Sequence, residues 1–240
     1  MPENFEHSDN RLLATLSAPL HQSLCEHMKL VELPLGSVLY ESGDSIKHVY
    51  FPVNSIVSLL YVMQNGASAE IAVVGNEGLV GIAVFMGGHS TPSRAVVQSA
   101  GHFYRLPAEY LKEAFQNNSE LRILLLRYTQ ALLTQMAQTA ACNRHHTIDQ
   151  QLCRWLLLSL DCLTGNCLIM TQELIANMLG VRREGVTDAA GKLQSIGAIQ
   201  YSRGRIIVKD RSILERLSCE CYAVVRSETD RLLKAPWGAK

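Results

Sequence analysis

The stretch 171-TQELIANMLGVRREGVTDAAGKLQSIGAI-199 decides the architecture, because its apolar spacing describes two short helices divided by a single glycine. Thr171 is placed to cap the first helix, with Glu173 in the first turn where the helix dipole favours a carboxylate. Leu174, Ile175, Met178 and Leu179 give that helix an apolar side, and Gly180 supplies the left-handed residue that ends it. A second helix follows at once. Val186, Ala190, Leu193 and Ile196 fall on one of its faces, while Arg183, Glu184, Thr187, Asp188, Gly191 and Lys192 lie away from it. Two helices joined by a short glycine turn suit the second for the major groove of DNA, its amino-terminal side chains against base edges. An arginine there grips guanine O6 and N7 with both fork nitrogens, and a glutamate accepts from cytosine N4.

Immediately downstream, 198-AIQYSRGRIIVKD-210 reads as a β-hairpin with Arg203, Gly204 and Arg205 at its tip, a wing suited to lie over phosphates. Charge concentrates in the same region. Between Arg182 and Arg211 seven basic residues stand against three acidic ones, although the whole chain of 240 residues balances 22 Lys and Arg against 22 Asp and Glu. That balance excludes a global basic field, so the nucleic-acid surface is expected to be local. Its members are Thr171, Gln172, Arg182, Arg183, Glu184, Thr187, Asp188, Lys192, Arg203 and Arg205. The competing reading is a helical hairpin with a solvated charged face.

Upstream, residues 121–142 form the most apolar helical stretch, but Arg122, Arg127 and six glutamines or threonines make it a packing helix, not a membrane span. Leu121, Leu125, Tyr128, Leu132 and Gln135 run along it at 4-3 spacing and are expected to meet a twin in a homodimer, or else to pack on the preceding domain. A polar break is expected at 143-NRHHT-147, dividing this helix from the next. Between residues 30 and 106 short β-branched and aromatic runs alternate with turn formers, which predicts an antiparallel jelly roll. The predicted strands are Ser37–Tyr40, His48–Phe51, Ser55–Val62, Ala69–Val74, Ala95–Ser99 and Phe103–Leu106. Before them, residues 9–29 have a helical pattern interrupted at Pro19. The polar start MPENFEHSDN lacks an apolar signal segment, and the chain is expected in the cytoplasm with no membrane partner.

These features together resemble the Crp/Fnr family of bacterial transcription regulators over nearly the whole chain. The resemblance implies an α+β fold: a cyclic-nucleotide-binding-like jelly-roll barrel, a long dimerisation helix, and a winged helix-turn-helix. It sets expected boundaries at 1–110 for the effector barrel, 111–142 for the dimerisation helix, 143–225 for the DNA-binding domain and 226–240 for a tail. The motif 180-GVRREGV-186, with 172-QEL-174 ahead of it, is similar to the family's recognition helix, so its base-reading arginine and glutamate carry onto Arg183 and Glu184. Two residues depart from the pattern: Arg182 stands where a serine or threonine usually caps the helix, and Asp188 where a second arginine is common.

The stretches 35-LGSVLYESGD-44 and 50-YFPVNSIVSLLYV-62 look like the family's early strands, but the ligand residues do not match. Aligning on 95-AVVQS-99 puts Ser93 at the arginine that meets a cyclic phosphate, and aligning on 80-VGIAVF-85 puts Ile82, after Gly81, at the glutamate that meets the ribose. A shifted register would use Arg94 and Glu77 instead. The candidate effector set is therefore Glu77, Gly81, Ile82, Ser93 and Arg94; a nucleotide effector stays open, with cyclic AMP not favoured.

Seven cysteines without a C-x-x-C pair fit reduced thiols better than a disulfide framework. Only Cys25 precedes Cys142, which argues against an amino-terminal iron–sulfur cluster. Cys219 and Cys221 are expected on different sides of a helix, and Cys162 and Cys167 flank a Thr-Gly-Asn turn, so no metal site is expected, a zinc or redox pair being the alternative. His89, His102, His145 and His146 are weighed as haem ligands and read as ordinary histidines. The chain has no G-x-S-x-G elbow and no P-loop, so no catalytic residues are assigned. The expected function is a homodimeric transcription regulator on an inverted repeat with half-sites about one helical turn apart. RNA polymerase joins its expected partners if it activates. A redox or haem sensor of the same fold, or a ligand- or protein-binding module that does not touch DNA, remain the alternatives.

Overall fold

The computed structural model describes residues 9–163 and 165–233, so most of the polar amino terminus and residues 234–240 lie outside it, as does Thr164 of the expected turn. A 3₁₀ turn at Leu13–Thr15 leads into α1 (Ala18–Cys25), which carries Pro19 in its first turn where no amide donor is needed. The proline therefore starts this helix instead of breaking one.

Seven strands follow: β1 (Lys29–Leu33), β2 (Val38–Tyr40), β3 (His48–Pro52), β4 (Ile56–Val62), β5 (Ser68–Val74), β6 (Arg94–Ser99) and β7 (Gly101–Pro107). A short helix, α2 (Ala83–Met86), lies between β5 and β6. They form two antiparallel sheets, ordered β1-β7-β3 and β2-β6-β4-β5. Inward residues of both, Phe51, Val57, Val74, Val97 and Phe103 among them, meet in one core. The six predicted strands are present within a residue or two. Sequence reading missed β1, whose residues Lys29–Leu33 are mostly exposed.

The helical half begins with α3 (Ala108–Asn117) and α4 (Ser119–His145). Asn118 separates them, its side chain accepting the amide of Leu121, so the long helix starts at 119 and not at 111. It also runs on to His145 through most of the expected break. The break itself is a capping box: the Thr147 hydroxyl accepts the amide of Gln150, and the Gln150 carbonyl oxygen accepts the amide of Thr147.

The dimer seam expected on α4 is overturned in part. Leu121, Leu125, Tyr128 and Leu132 are buried in the barrel's own core, the Tyr128 hydroxyl donates to the carbonyl of Leu79 at 2.8 Å, and Gln135 accepts the amide of Val73 at 2.7 Å. Their stripe meets the barrel. The stripe facing outward contains Ile123, Leu126, Gln130, Leu133, Ala137 and Ala140, all exposed and spaced 3-4-3-4-3 along the helix.

Beyond α4 come α5 (Ile148–Asp161), β8 (Cys167–Ile169), α6 (Gln172–Leu179), α7 (Arg183–Ser195), β9 (Ile199–Ser202), β10 (Arg205–Val208), α8 (Arg211–Leu217) and α9 (Glu220–Leu233). Leu152, Leu156 and Leu157 of α5 are fully buried at the centre of a second core with Ile175, Leu179, Val186, Leu193 and Ile206. Each such leucine contributes roughly 2 kcal/mol by its removal from water. The same core includes Ile56, Leu60 and Val73 of the barrel sheet, so the two halves share apolar contact. No tail begins at 226: α9 continues through that point and lies back along α4, with Gln130 donating to Glu228.

Candidate nucleic-acid interface

The turn between α6 and α7 takes its shape from Gly180, whose φ of 66° is left-handed, and from Val181, whose amide donates to the carbonyl of Ala176. Thr171 caps α6 as read from sequence, accepting the amide of Leu174 at 3.2 Å. Helix α7 then begins at Arg183 with Arg182 at its cap position, and the Arg182 side chain makes no capping bond. The cost of losing a capping hydroxyl, about 1 kcal/mol, is thus accepted at the position that faces outward.

One face of α7 is buried through Val186, Ala189, Ala190 and Leu193. Ile196, expected on that face, is the C-cap residue and is exposed, because the helix ends at Ser195 before the face comes round again. The other face is open. Arg182, Arg183, Glu184, Thr187, Asp188 and Lys192 are all exposed. Among the described residues the side chains of Arg182, Arg183 and Glu184 hold no hydrogen bond or ion pair, so the first turn of α7 presents a fork donor and a carboxylate acceptor unspent. Two neighbours are engaged instead. Thr187 donates to Gln172 at 2.8 Å, locking α6 to α7, and Lys192 forms a 2.8 Å ion pair with Asp149. Gly185 lets α7 approach α5, since a Cβ there would stand 2.6 Å from the Ile148 side chain.

The wing is a three-stranded antiparallel sheet in the order β8-β10-β9. Its tip pairs Ser202 with Arg205 across Arg203 and Gly204, both at positive φ (49° and 74°), which is the tight turn whose twist suits a hairpin. Arg203 points into solvent and Arg205 is exposed beside it, with a 3.6 Å contact to the Cys167 sulfur. Strand β8 was not foreseen, being only three residues long.

The effector candidates do not converge. Ile82 and Ser93 line a cavity of about 500 Å³ between the barrel and α4, together with Tyr40, Leu59, Met86 and Met136. Its lining carries no charged side chain, and burial pushes the Tyr40 hydroxyl up to about 12. Gly81 packs on Val49 instead, and Arg94 is neutralised by Glu41 at 3.1 Å. Glu77 accepts the amide of Gly75 and lies in a separate cleft with Arg11 and Cys162. The shifted register that pairs Arg94 with Glu77 is therefore not built, and the cavity offers a phosphodiester no cation. No helix among the described residues is long and apolar enough to cross a membrane.

Comparison with known proteins places both halves. Residues 30–118 match the cyclic nucleotide-binding domain family and residues 150–217 the Crp-like helix-turn-helix domain family. A global nitrogen regulator of Nostoc sp. is 24% identical over 190 residues, spanning 75% of this chain and 85% of that protein. Among solved structures, a Crp/Fnr regulator from Eubacterium rectale superposes with a TM-score of 0.68 at 16% identity, covering 88% of this chain and 98% of its own. The c-di-GMP responsive regulator CLP of Xanthomonas campestris follows the same fold, with a TM-score of 0.64 at 15% identity over 80% of this chain and 99% of its own. With an effector-type barrel, a long helix and a basic winged helix-turn-helix in this order, the chain belongs to the Crp/Fnr family of DNA-binding transcription regulators.

Proposed function

We propose that the protein acts as a homodimer on an inverted repeat, each subunit laying α7 in a major groove with Arg183 and Glu184 on base edges and Arg203 and Arg205 over phosphates. The observation that carries this reading is the unspent first turn of α7, exposed and free of internal partners while the rest of the helix is anchored on α5 and α6. Lys192 has a lesser part, because contact with phosphate would compete with Asp149. Asp188 would repel a phosphate and favours a cytosine amino group, so the operator differs from one read by two arginines.

The dimer contact is the exposed stripe of α4, from Ile123 through Leu126 and Leu133 to Ala140, which is left over once the barrel has covered the opposite face. The effector, in this reading, is a largely apolar small molecule that enters the uncharged cavity beside Met136 of α4. Occupancy there would bear directly on the dimer helix and on the spacing of the two reading helices. RNA polymerase is the further partner if the regulator activates.

A random-library DNA selection with purified protein, repeated with a panel of cyclic mono- and dinucleotides, tests the reading. Enrichment of a two-fold-symmetric site supports it. Absence of any enriched sequence would overturn it, and a nucleotide-dependent change of site would overturn the apolar-effector part alone.

A further inference from the structure

Three cysteines and a histidine that are distant in sequence meet where α4 ends and α9 begins. Cys142 and His146 lie one helical turn apart at the end of α4, and Cys219 and Cys221 flank Glu220 at the start of α9. The Cys142 and Cys219 sulfurs are 3.5 Å apart, and the Cys221 sulfur is 3.6 Å from Nδ1 of His146. All four of these ligand atoms lie within 4.8 Å of one another. We infer that they form a tetrahedral site for a single zinc ion, holding the DNA-binding domain's entry and exit together.

Distance is the first argument. A tetrahedron with Zn–S arms of about 2.3 Å has edges of about 3.8 Å, and the Cys142–Cys219 and Cys221–His146 pairs already stand near that length. Donor type is the second: three sulfurs and one imidazole in a closed set match a structural zinc site, not a catalytic one with an open position. The third lies behind the histidine. Nε2 of His146 is 3.3 Å from the Glu220 carboxylate, which holds the proton on Nε2 and leaves Nδ1 a lone pair directed at the sulfurs.

Surroundings agree. The cysteines form a small buried cluster of their own, separate from both apolar cores. Arg154 is 3% exposed and makes no ion pair among the described residues; its Nη1 donates to Thr139 and its Nε has no acceptor. Zinc bound by three thiolates carries a net charge of −1, a counter-charge for this guanidinium beyond the largely protonated Glu70 whose carboxyl it also influences. Binding releases thiol protons to solvent as three Zn–S bonds and one Zn–N bond form, and affinity rises with pH. Sequence reading missed the site because Cys142 and Cys219 are 77 positions apart, and because Cys219 precedes α9 and so is not confined to a face of it.

The test is metal analysis of full-length protein purified under reducing conditions without chelator. One zinc per subunit is expected. After stripping, Co²⁺ should give the intense visible bands and thiolate-to-cobalt charge-transfer absorption of a tetrahedral sulfur site. Cys219→Ser and Cys221→Ser should lose both signals, and Cys25→Ser should retain them. Glu220 is exposed, so Glu220→Gln should fold, keep the spectrum and weaken zinc binding about 10- to 100-fold. Substoichiometric zinc with no cobalt spectrum in the folded wild type would overturn the inference, as would a Cys142–Cys219 disulfide found by mass spectrometry in place of metal. An unaltered zinc affinity in Glu220→Gln would overturn the carboxylate's part.

Discussion

Replacing Arg183 by alanine and replacing Arg203 by alanine each remove one positive charge, yet the two losses should differ in kind. Arg183 starts α7 and in the proposed complex lies in the groove, so its loss should relax preference at one base position by about 1–3 kcal/mol. Arg203 sits at the wing tip, and its loss should weaken binding to all sequences alike and lower the salt slope by about one ion. Fluorescence anisotropy on matched and mismatched operators across a salt series separates them, and equal loss on every sequence for Arg183→Ala would refute its role. Gly78 poses a packing question at the same scale. A Cβ there would stand 2.4 Å from the Tyr128 ring, which is held by its bond to Leu79. Gly78→Ala should therefore destabilise the chain by about 1–3 kcal/mol, measured by urea unfolding. At this scale the exposed first turn of α7 was legible because Arg182, Arg183 and Glu184 follow one another along the sequence. The effector residues were not, because whether Glu77 and Arg94 share a cavity depends on how the sheets fold over, and they do not share one.

Helix α4 shows why one element can be read correctly and used wrongly. Its period was plain, but Leu121, Ile123, Leu124, Leu125 and Leu126 surround nearly its whole circumference, so periodicity does not say which stripe meets the barrel. Burial decides it: Leu125 is 1% exposed and Leu126 47%. The two should respond oppositely. Leu126→Glu combined with Leu133→Glu should leave the subunit folded and dissociate the proposed dimer, whereas Leu125→Ala should lose about 2–5 kcal/mol of stability with that proposed seam intact. Sedimentation velocity beside thermal unfolding checks both, and a dimer that survives the double glutamate change would exclude this stripe. Strands β1 and β8 escaped notice for a different reason: neither has the apolar alternation that sequence patterns detect, and both are recruited by a neighbour, β7 and β10, already in place.

For the molecule as a whole, the clasp between barrel and DNA-binding domain includes a buried acid. Glu70 of β5 accepts the indole N–H of Trp155 of α5 at 2.9 Å. Burial raises its carboxyl to about 7, with the bonds from Ser58 and Trp155 and the charge of Arg154 opposing. Between the ordinary value of 4.5 and 7 the folded chain keeps a proton that the unfolded chain releases. The resulting stability is full below the lower value and is lost as pH rises through the upper one, on the order of 3 kcal/mol for this group. Glu70→Gln should remove that slope while preserving the fold, seen as the difference from wild type in urea midpoints taken on either side of neutrality. A parallel pH dependence in both proteins would exclude Glu70 as its source. A sequence gives no hint of such a group, since Glu70 becomes buried only when two domains meet.

The return of α9 along α4 has a practical consequence. Its last residue, Leu233, packs against the barrel core, although the helix begins at the DNA-binding domain. A dye attached at the exposed Arg231 would therefore stand near the barrel, and a second dye at the wing tip would complete an energy-transfer ruler across the protein. Any swivelling of the wing against the barrel could then be followed in solution, one molecule at a time, without any DNA present.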